Sequence, residues 1–221
     1  MKFRHEYKHQ INLADIMVLK SRLSAVLKHD QHAGENGTYF IQSLYFDNYQ
    51  DKALREKVDG VNKREKFRIR YYNRNTSFIQ LEKKSKINGL CNKQSCRITA
   101  EECQKIIDGD IEFLRESKKD LMMELYAKMK YQLLKPKCIV AYRRESFVYP
   151  PGNVRVTLDM NICGSNNVKE FLNPELQFLQ TYHQAILEVK WDEFLPQIIK
   201  DCVQLKSRRS SAFSKYAAVR I

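Results

Sequence analysis

The segment Glu65 to Lys86 restricts the fold of this chain most, because the runs EKFRIRYY and FIQLEKKSK flank the polar turn NRNTS and read as a β-hairpin. Side chains alternate between the two faces of a strand. Phe67, Ile69 and Tyr71 therefore share one face of the first strand and Arg68, Arg70 and Tyr72 the other; on the second, Ile79 and Leu81 oppose Gln80, Glu82, Lys84 and Lys86. One side of the hairpin is apolar and the other is dense with positive charge. Arginines one strand period apart, facing lysines, repel one another unless an anion lies between them.

The two-sided pattern recurs along the chain. In FRHEYKHQI, Arg4, Glu6, Lys8 and Gln10 share a face opposite Phe3 and Tyr7. Tyr39 to Asp47 reads as a buried strand, and Lys93 to Ile98 puts Lys93, Ser95 and Arg97 on one face. A second hairpin joins Cys138–Val148 to Val154–Ile162 through Pro150, Pro151, Gly152 and Asn153, with Arg155, Thr157, Asp159 and Asn161 alternating against Val154, Val156, Leu158 and Met160. The strand Ala185 to Trp191 places Glu188 beside Lys190. Helical spacing marks Leu13, Ile16, Leu19, Leu23, Val26 and Leu27, and again Leu121, Met122, Leu125, Met129 and Leu133 before Pro136. Thr99-Ala100-Glu101-Glu102 predicts a capped helix that stops at Gly109, Asn48 to Val58 a short charged one, and Leu195 to Lys206 another. This amounts to about eight strands and about five helices with no repeat and no linker, hence one domain over residues 1–221. Charged faces at strand spacing, with apolar faces that helices can cover, predict an α+β fold. Its expected form is a closed antiparallel eight-stranded β-barrel with a polar lumen and helices packed outside.

Charge indicates what the lumen is for. Lys and Arg number 39 against 26 Asp and Glu, a formal +13, which favours polyanionic partners. No apolar run approaches the roughly 20 residues of a membrane helix, and MKFRHEYKHQ does not read as a signal peptide, so a soluble cytoplasmic protein is expected. The six cysteines contain no CxxC pair and are expected to be reduced structural thiols; the five histidines show no ligand spacing. A nucleic-acid surface would interleave aromatics with base, and only Tyr71 and Tyr72 do so; no nucleic acid is expected.

The residues also carry a resemblance. RHEYK (4–8), SLYFD (43–47), FRIR (67–70), LEKK (81–84), YRRESF (142–147), VRVTLD (154–159), LEVK (187–190) and FSKY (213–216) occur in one order along the chain. Together they resemble the VTC domain family, the polyphosphate polymerase branch of the CYTH-like triphosphate tunnel metalloenzymes. Many tunnel enzymes open with ExExK; Arg4 at the first position favours the VTC branch over a thiamine triphosphatase. Where the VTC pattern has a base before FSK this chain has Ala212, with Arg208 and Arg209 as the nearest substitutes.

The resemblance implies a phosphate-lined tunnel. Arg68, Arg70, Lys84, Arg144 and Arg155 would act on the reacting phosphates; Lys8, Lys93, Lys190, Ser214 and Lys215 would bind substrate; Glu188, with Glu6 and Glu82, would hold Mn²⁺ or Mg²⁺. The implied partners are ATP or another triphosphate and inorganic polyphosphate. Three readings follow: transfer of the γ-phosphoryl of ATP to a growing polyphosphate, hydrolysis of triphosphate or polyphosphate in the same fold, or a non-enzymatic basic module binding polyphosphate or nucleic acid. Some residues keep two readings. Glu6, Glu82 and Asp159 suit ion pairs with neighbouring Arg and Lys as well as a metal, Lys190 and Arg143 suit an outward face, and RRSSAFSK suits a disordered end.

Overall fold

The computed structural model describes residues 3–31, 34, 37–205, 208, 210 and 212–220. Ten strands form among these: β1 (His5–Ile11), β2 (Lys28–His29), β3 (Thr38–Asp47), β4 (Arg64–Tyr72), β5 (Asn75–Ile87), β6 (Leu90–Ile98), β7 (Lys135–Tyr149), β8 (Val154–Ser165), β9 (Leu179–Tyr182) and β10 (Ala185–Trp191). The helices are α1 (Leu13–Val26), α2 (Lys52–Val58), α3 (Ala100–Asp108), α4 (Glu112–Arg115), α5 (Asp120–Tyr131), α6 (Gln197–Val203) and α7 (Lys215–Arg220).

The hairpin turn is tighter than NRNTS implies. Asn73 and Arg74 both take left-handed backbone, φ 51° and 55°, giving a two-residue turn whose twist matches its strands, so β5 already starts at Asn75. Every pairing is antiparallel, and the path β1-β10-β8-β7-β3-β4-β5-β6 takes in eight strands, with β2 beside β7 and β9 beside β8. The sheet curls until its edges meet, but not as a ladder. Arg4, just before β1, and Cys91 of β6 form one bridge, exchanging backbone hydrogen bonds at 3.0 and 3.1 Å. Further along, the free edge of β1 takes the tail instead, with His9 bridged to Ser210. The expected closed barrel is thus observed as a curled half-barrel fastened at a seam, because the C-terminal segment competes with β6 for the same edge.

Alternation sorts the two faces. Ile69, Tyr71, Ile79 and Leu81 are fully buried under Cys103, Ile106, Leu121, Met122 and Leu125 of α3 and α5. Helices α1 and α6 cover β8 and β10, with Leu19, Leu23 and Ile199 against Val156, Leu158, Leu187 and Val189. Leu13, expected in the α1 stripe, is 73% exposed: it opens the helix directly after the Asn12 cap, one turn away from the packed residues. The capping box of α3 forms as read, with Glu102 N–H donating to Thr99 Oγ1 at 3.0 Å and Thr99 N–H to Glu102 Oε2 at 2.8 Å. Helix α5 is shorter than its apolar spacing, because Leu133 turns to φ 54° and is exposed. No helix among the described residues is long and apolar enough to cross a membrane.

Candidate functional site

Lys66, Arg68, Arg70 and Tyr72 succeed one another on the inner face of β4, and strand register decides what holds them. Tyr45 of β3 lies opposite Arg68 and Ser43 opposite Arg70. Arg68 Nη1 donates to Tyr45 Oη at 3.0 Å, Arg70 Nε to Ser43 Oγ at 3.0 Å, and Arg70 Nη2 to Tyr142 Oη at 3.0 Å. On the other side β5 sets Glu82 opposite Arg68. Glu82 Oε2 accepts from Arg68 Nε at 2.6 Å, and Lys93 Nζ lies 3.1 Å from its other oxygen. Burial alone would raise this carboxyl; Arg68, Arg70 and Lys93 override it and hold Glu82 far below the ordinary carboxylate range.

The opposite wall repeats the device. Arg144 of β7 grips Asp159 of β8 through two parallel bonds, 2.6 and 2.7 Å, and Lys215 Nζ approaches the same carboxylate at 2.5 Å. Although burial opposes it, Arg144 and Lys215 pull the Asp159 carboxyl down to about 2. Between β1 and β10 four charges alternate in a ring. Lys8 Nζ is 2.7 Å from Glu6 and 3.2 Å from Glu188, and Lys190 Nζ is 2.7 Å from Glu188 and 3.4 Å from Glu6. Burial would raise Glu188, yet Lys190, Lys8 and Lys84 hold it well below its usual range.

The basic side chains of both walls line one cavity of about 360 Å³, to which the described residues contribute eleven Lys and Arg side chains but only two carboxylates, Glu6 and Glu188. A second chamber of about 270 Å³ shares Glu6, Lys8, Lys66, Lys84 and Ser214 with it and continues past Lys57, Arg64 and Lys86. Lys84 forms no salt bridge among the described residues; burial, with Lys190 beside it, lowers its ammonium to about 7. Burial likewise lowers Lys66 to about 8, and its Nζ meets Ser214 Oγ at 3.4 Å. Tyr45 moves the other way from its burial: Arg68, Lys66 and Arg70 bring its phenol down to about 7.

A model of the VTC domain family matches residues 3–220. The chain belongs to the VTC domain family. Two solved structures share the fold of this VTC domain at identities too low to carry more than fold. One, a protein of Pyrococcus horikoshii, has a TM-score of 0.54 at 13% identity and covers 98% of this chain and 99% of its own. The other, a candidate adenylate cyclase of Bacillus halodurans, has a TM-score of 0.52 at 14% identity and covers 86% and 80%. No curated protein matches.

In this VTC domain every site residue expected from the sequence except Glu82 borders the larger cavity: Arg68, Arg70, Lys84, Arg144, Arg155, Lys8, Lys93, Lys190, Ser214, Lys215, Glu188 and Glu6. Glu82 is fully buried behind the arginines, its oxygens taken by Arg68 and Lys93. Arg155 is half-exposed and paired with Asp30. Ser214 also caps α7, accepting from Ala217 N–H at 3.4 Å, so the basic tail ends in a helix there. Arg143 faces solvent. Arg208 does not replace the base missing at Ala212, because it pairs with Asp15 at 2.7 Å; Arg209 lies outside the described residues. Lys57 of α2 reaches the Ala212 carbonyl instead. Lys66, Tyr45 and Tyr142 were not singled out in the sequence. Lys66 is in phase with Arg68 and Arg70 and could have been; the tyrosines could not, since an aromatic in a buried strand reads as core on either face.

A hard cation fits at one place. Glu6 Oε2 is buried and meets Lys190 Nζ at 3.4 Å without forming a hydrogen bond, and Glu188 stands beside Glu6 across the two lysines, its own oxygens paired with Lys8, Lys190 and Arg144. No group of three or more His, Cys, Asp or Glu suited to a metal occurs among the described residues. Two carboxylates form an incomplete set of the kind Mg²⁺ or Mn²⁺ completes with water and substrate phosphate oxygens. Glu6 and Glu188, the two carboxylates that border the cavity, would hold it once Lys8 and Lys190 turn to substrate phosphates; Glu82 is buried behind the arginines and does not line the cavity.

Proposed function

We propose that this VTC domain is a metal-dependent phosphotransferase of the polyphosphate polymerase type, passing the γ-phosphoryl of ATP to a growing inorganic polyphosphate chain. The two connected chambers would serve as one tunnel for the chain. The convergence of Arg68, Arg70, Lys84, Arg144, Lys190 and Lys215 on one cavity carries this reading. A triphosphate is a line of anionic tetrahedra, which arginine forks grip two oxygens at a time and lysines follow as point charges. In phosphoryl transfer charge spreads over the equatorial oxygens while attacking and leaving oxygens stay in line, so positioning and preset positive charge do most of the catalysis. Arg68 is preset by Tyr45 and Glu82, Arg70 by Ser43 and Tyr142, and Arg144 by Asp159, so none of the three has to reorganise when the substrate enters. A cation at Glu6 and Glu188, Mn²⁺ or Mg²⁺, would add neutralising charge at the phosphate oxygens. The terminal phosphate of the acceptor is already anionic and needs no base.

One observation supports hydrolysis by water as a second reading. The Tyr45 phenol, brought to about 7 and held by Arg68, is a group in the lumen able to accept a proton from water. Incubation with ATP and Mn²⁺ separates the readings: long metachromatic chains on a gel are the polymerase result, phosphate without chains the hydrolase result, and neither overturns both. Tyr45→Phe should then suppress hydrolysis more than chain synthesis, because both reactions lose the hydrogen bond that presets Arg68 and only hydrolysis also loses its proton acceptor.

A further inference from the structure

Asp47 ends β3 and is 1% exposed. Its carboxylate accepts from four donors in three segments. Oδ1 takes the N–H groups of Asn48 at 2.9 Å and Ala53 at 2.8 Å, and Oδ2 takes the N–H of Leu54 at 3.1 Å and the hydroxyl of Tyr216 at 2.7 Å. Ala53 and Leu54 belong to the first turn of α2, and Tyr216 to α7. Nothing in β3 requires this, because the strand is already paired with β4 and β7.

The six residues of α7 are too few to form a helix unaided. Beyond the Ser214 cap its fastenings are tertiary. The Tyr216 ring stacks on Tyr45 at 5.2 Å, and a Cβ at Gly164 would collide with Val219. Arg220 pairs with Asp51 at 2.9 Å. Burial and the adjacent Asp47 both raise the Tyr216 phenol, so it remains a hydrogen-bond donor. Directly ahead of Tyr216 come Lys215, against Asp159, and Ser214, against Lys66.

We propose that Asp47 is the positioning residue for the C-terminal wall of the lumen: its one carboxylate ties α2 and α7 to the end of β3 and so sets Lys215 and Ser214 in the cavity. This rests on the phosphate-binding reading of that cavity. Binding of inorganic tripolyphosphate, measured by titration calorimetry, and trypsin cleavage after Lys215 test it together. Tyr216→Phe removes one hydrogen bond and no volume, and should weaken tripolyphosphate roughly tenfold, the scale of one hydrogen bond to a charged group. Asp47→Asn turns an acceptor into a donor that faces other donors, and should do at least as much. Lys215→Met should weaken binding by a similar factor, and Tyr216→Phe combined with it should weaken binding no further, because both remove the same contact. Factors that multiply in the double variant, or wild-type affinity in Tyr216→Phe, overturn the proposal. Absence of tripolyphosphate binding in the wild type instead sinks the phosphate reading. The placement is then judged by trypsin alone: faster cleavage after Lys215 in Tyr216→Phe upholds it and an unchanged rate overturns it.

Discussion

Arg70 shows what a single residue contributes. Its guanidinium is fixed by Ser43 and Tyr142 and aimed into the cavity, so Arg70→Ala removes a preset charge and leaves the sheet intact. Turnover of ATP with Mn²⁺ should fall by about 10² or more, the usual cost of one transition-state donor. Glu188→Ala should abolish it as well, by freeing Lys8 and Lys190 and removing the carboxylate that borders the proposed cation. Retained turnover in both variants, in protein with wild-type circular dichroism, contradicts this site. The lysines make a prediction about pH. Lys84 and Lys66 titrate near 7 and 8 in the folded protein and 10.5 ordinarily, so between about pH 7 and 10 the unfolded chain binds more protons and folded stability rises with pH. Tyr45, lowered from 10.0 to about 7, acts in the same sense. Polyphosphate favours the charged lysines, so its affinity should fall over that range, with proton uptake on binding at pH 8. Calorimetric heats that do not depend on the ionisation heat of the buffer would contradict this. The cationic residues were legible from their alternation alone. Glu82 kept two readings in the sequence, an ion pair or a metal ligand, and register decides for the ion pair: one residue of slip would have turned it away from Arg68.

Among the elements, β4 and β5 follow directly from their pattern of apolar and charged positions, and α3 from its cap. Helix α7 does not, because KYAAVR is too short to show an apolar stripe, and its helix rests on the Ser214 cap and on Tyr216, Val219 and Arg220 packing on other segments. Strand β9 escaped notice for the same reason: it is short and mostly exposed, and so has no buried side to reveal its period. The fit of α7 can be measured. Gly164→Ala puts a methyl group into Val219, and should destabilise the protein by about 1–3 kcal/mol, the usual cost of overpacking. Thermal unfolding checks it, and an unchanged midpoint would mean that α7 does not lie against β8.

Across the whole molecule, one bridge joins the two ends of an eight-strand path. Arg4 and Cys91 exchange both backbone hydrogen bonds, the antiparallel geometry with Cα atoms about 5.5 Å apart, which is within reach of a disulfide. Arg4→Cys should therefore cross-link to the native Cys91 under mild oxidation and raise the thermal midpoint, with reductant reversing the effect. Free-thiol counts and unfolding curves, with and without reductant, check it; no cross-link would place the two edges apart. The alternating ring of Glu6, Lys8, Glu188 and Lys190 has a consequence of another kind. The bore is stocked with its own counter-ions, like a charged column of ion-exchange resin, so the proposed polyphosphate substrate would be taken up by swapping partners. Such a resin ranks its guests by how many charges they present in a row, and a lone phosphate ion should wash through where a long chain stays.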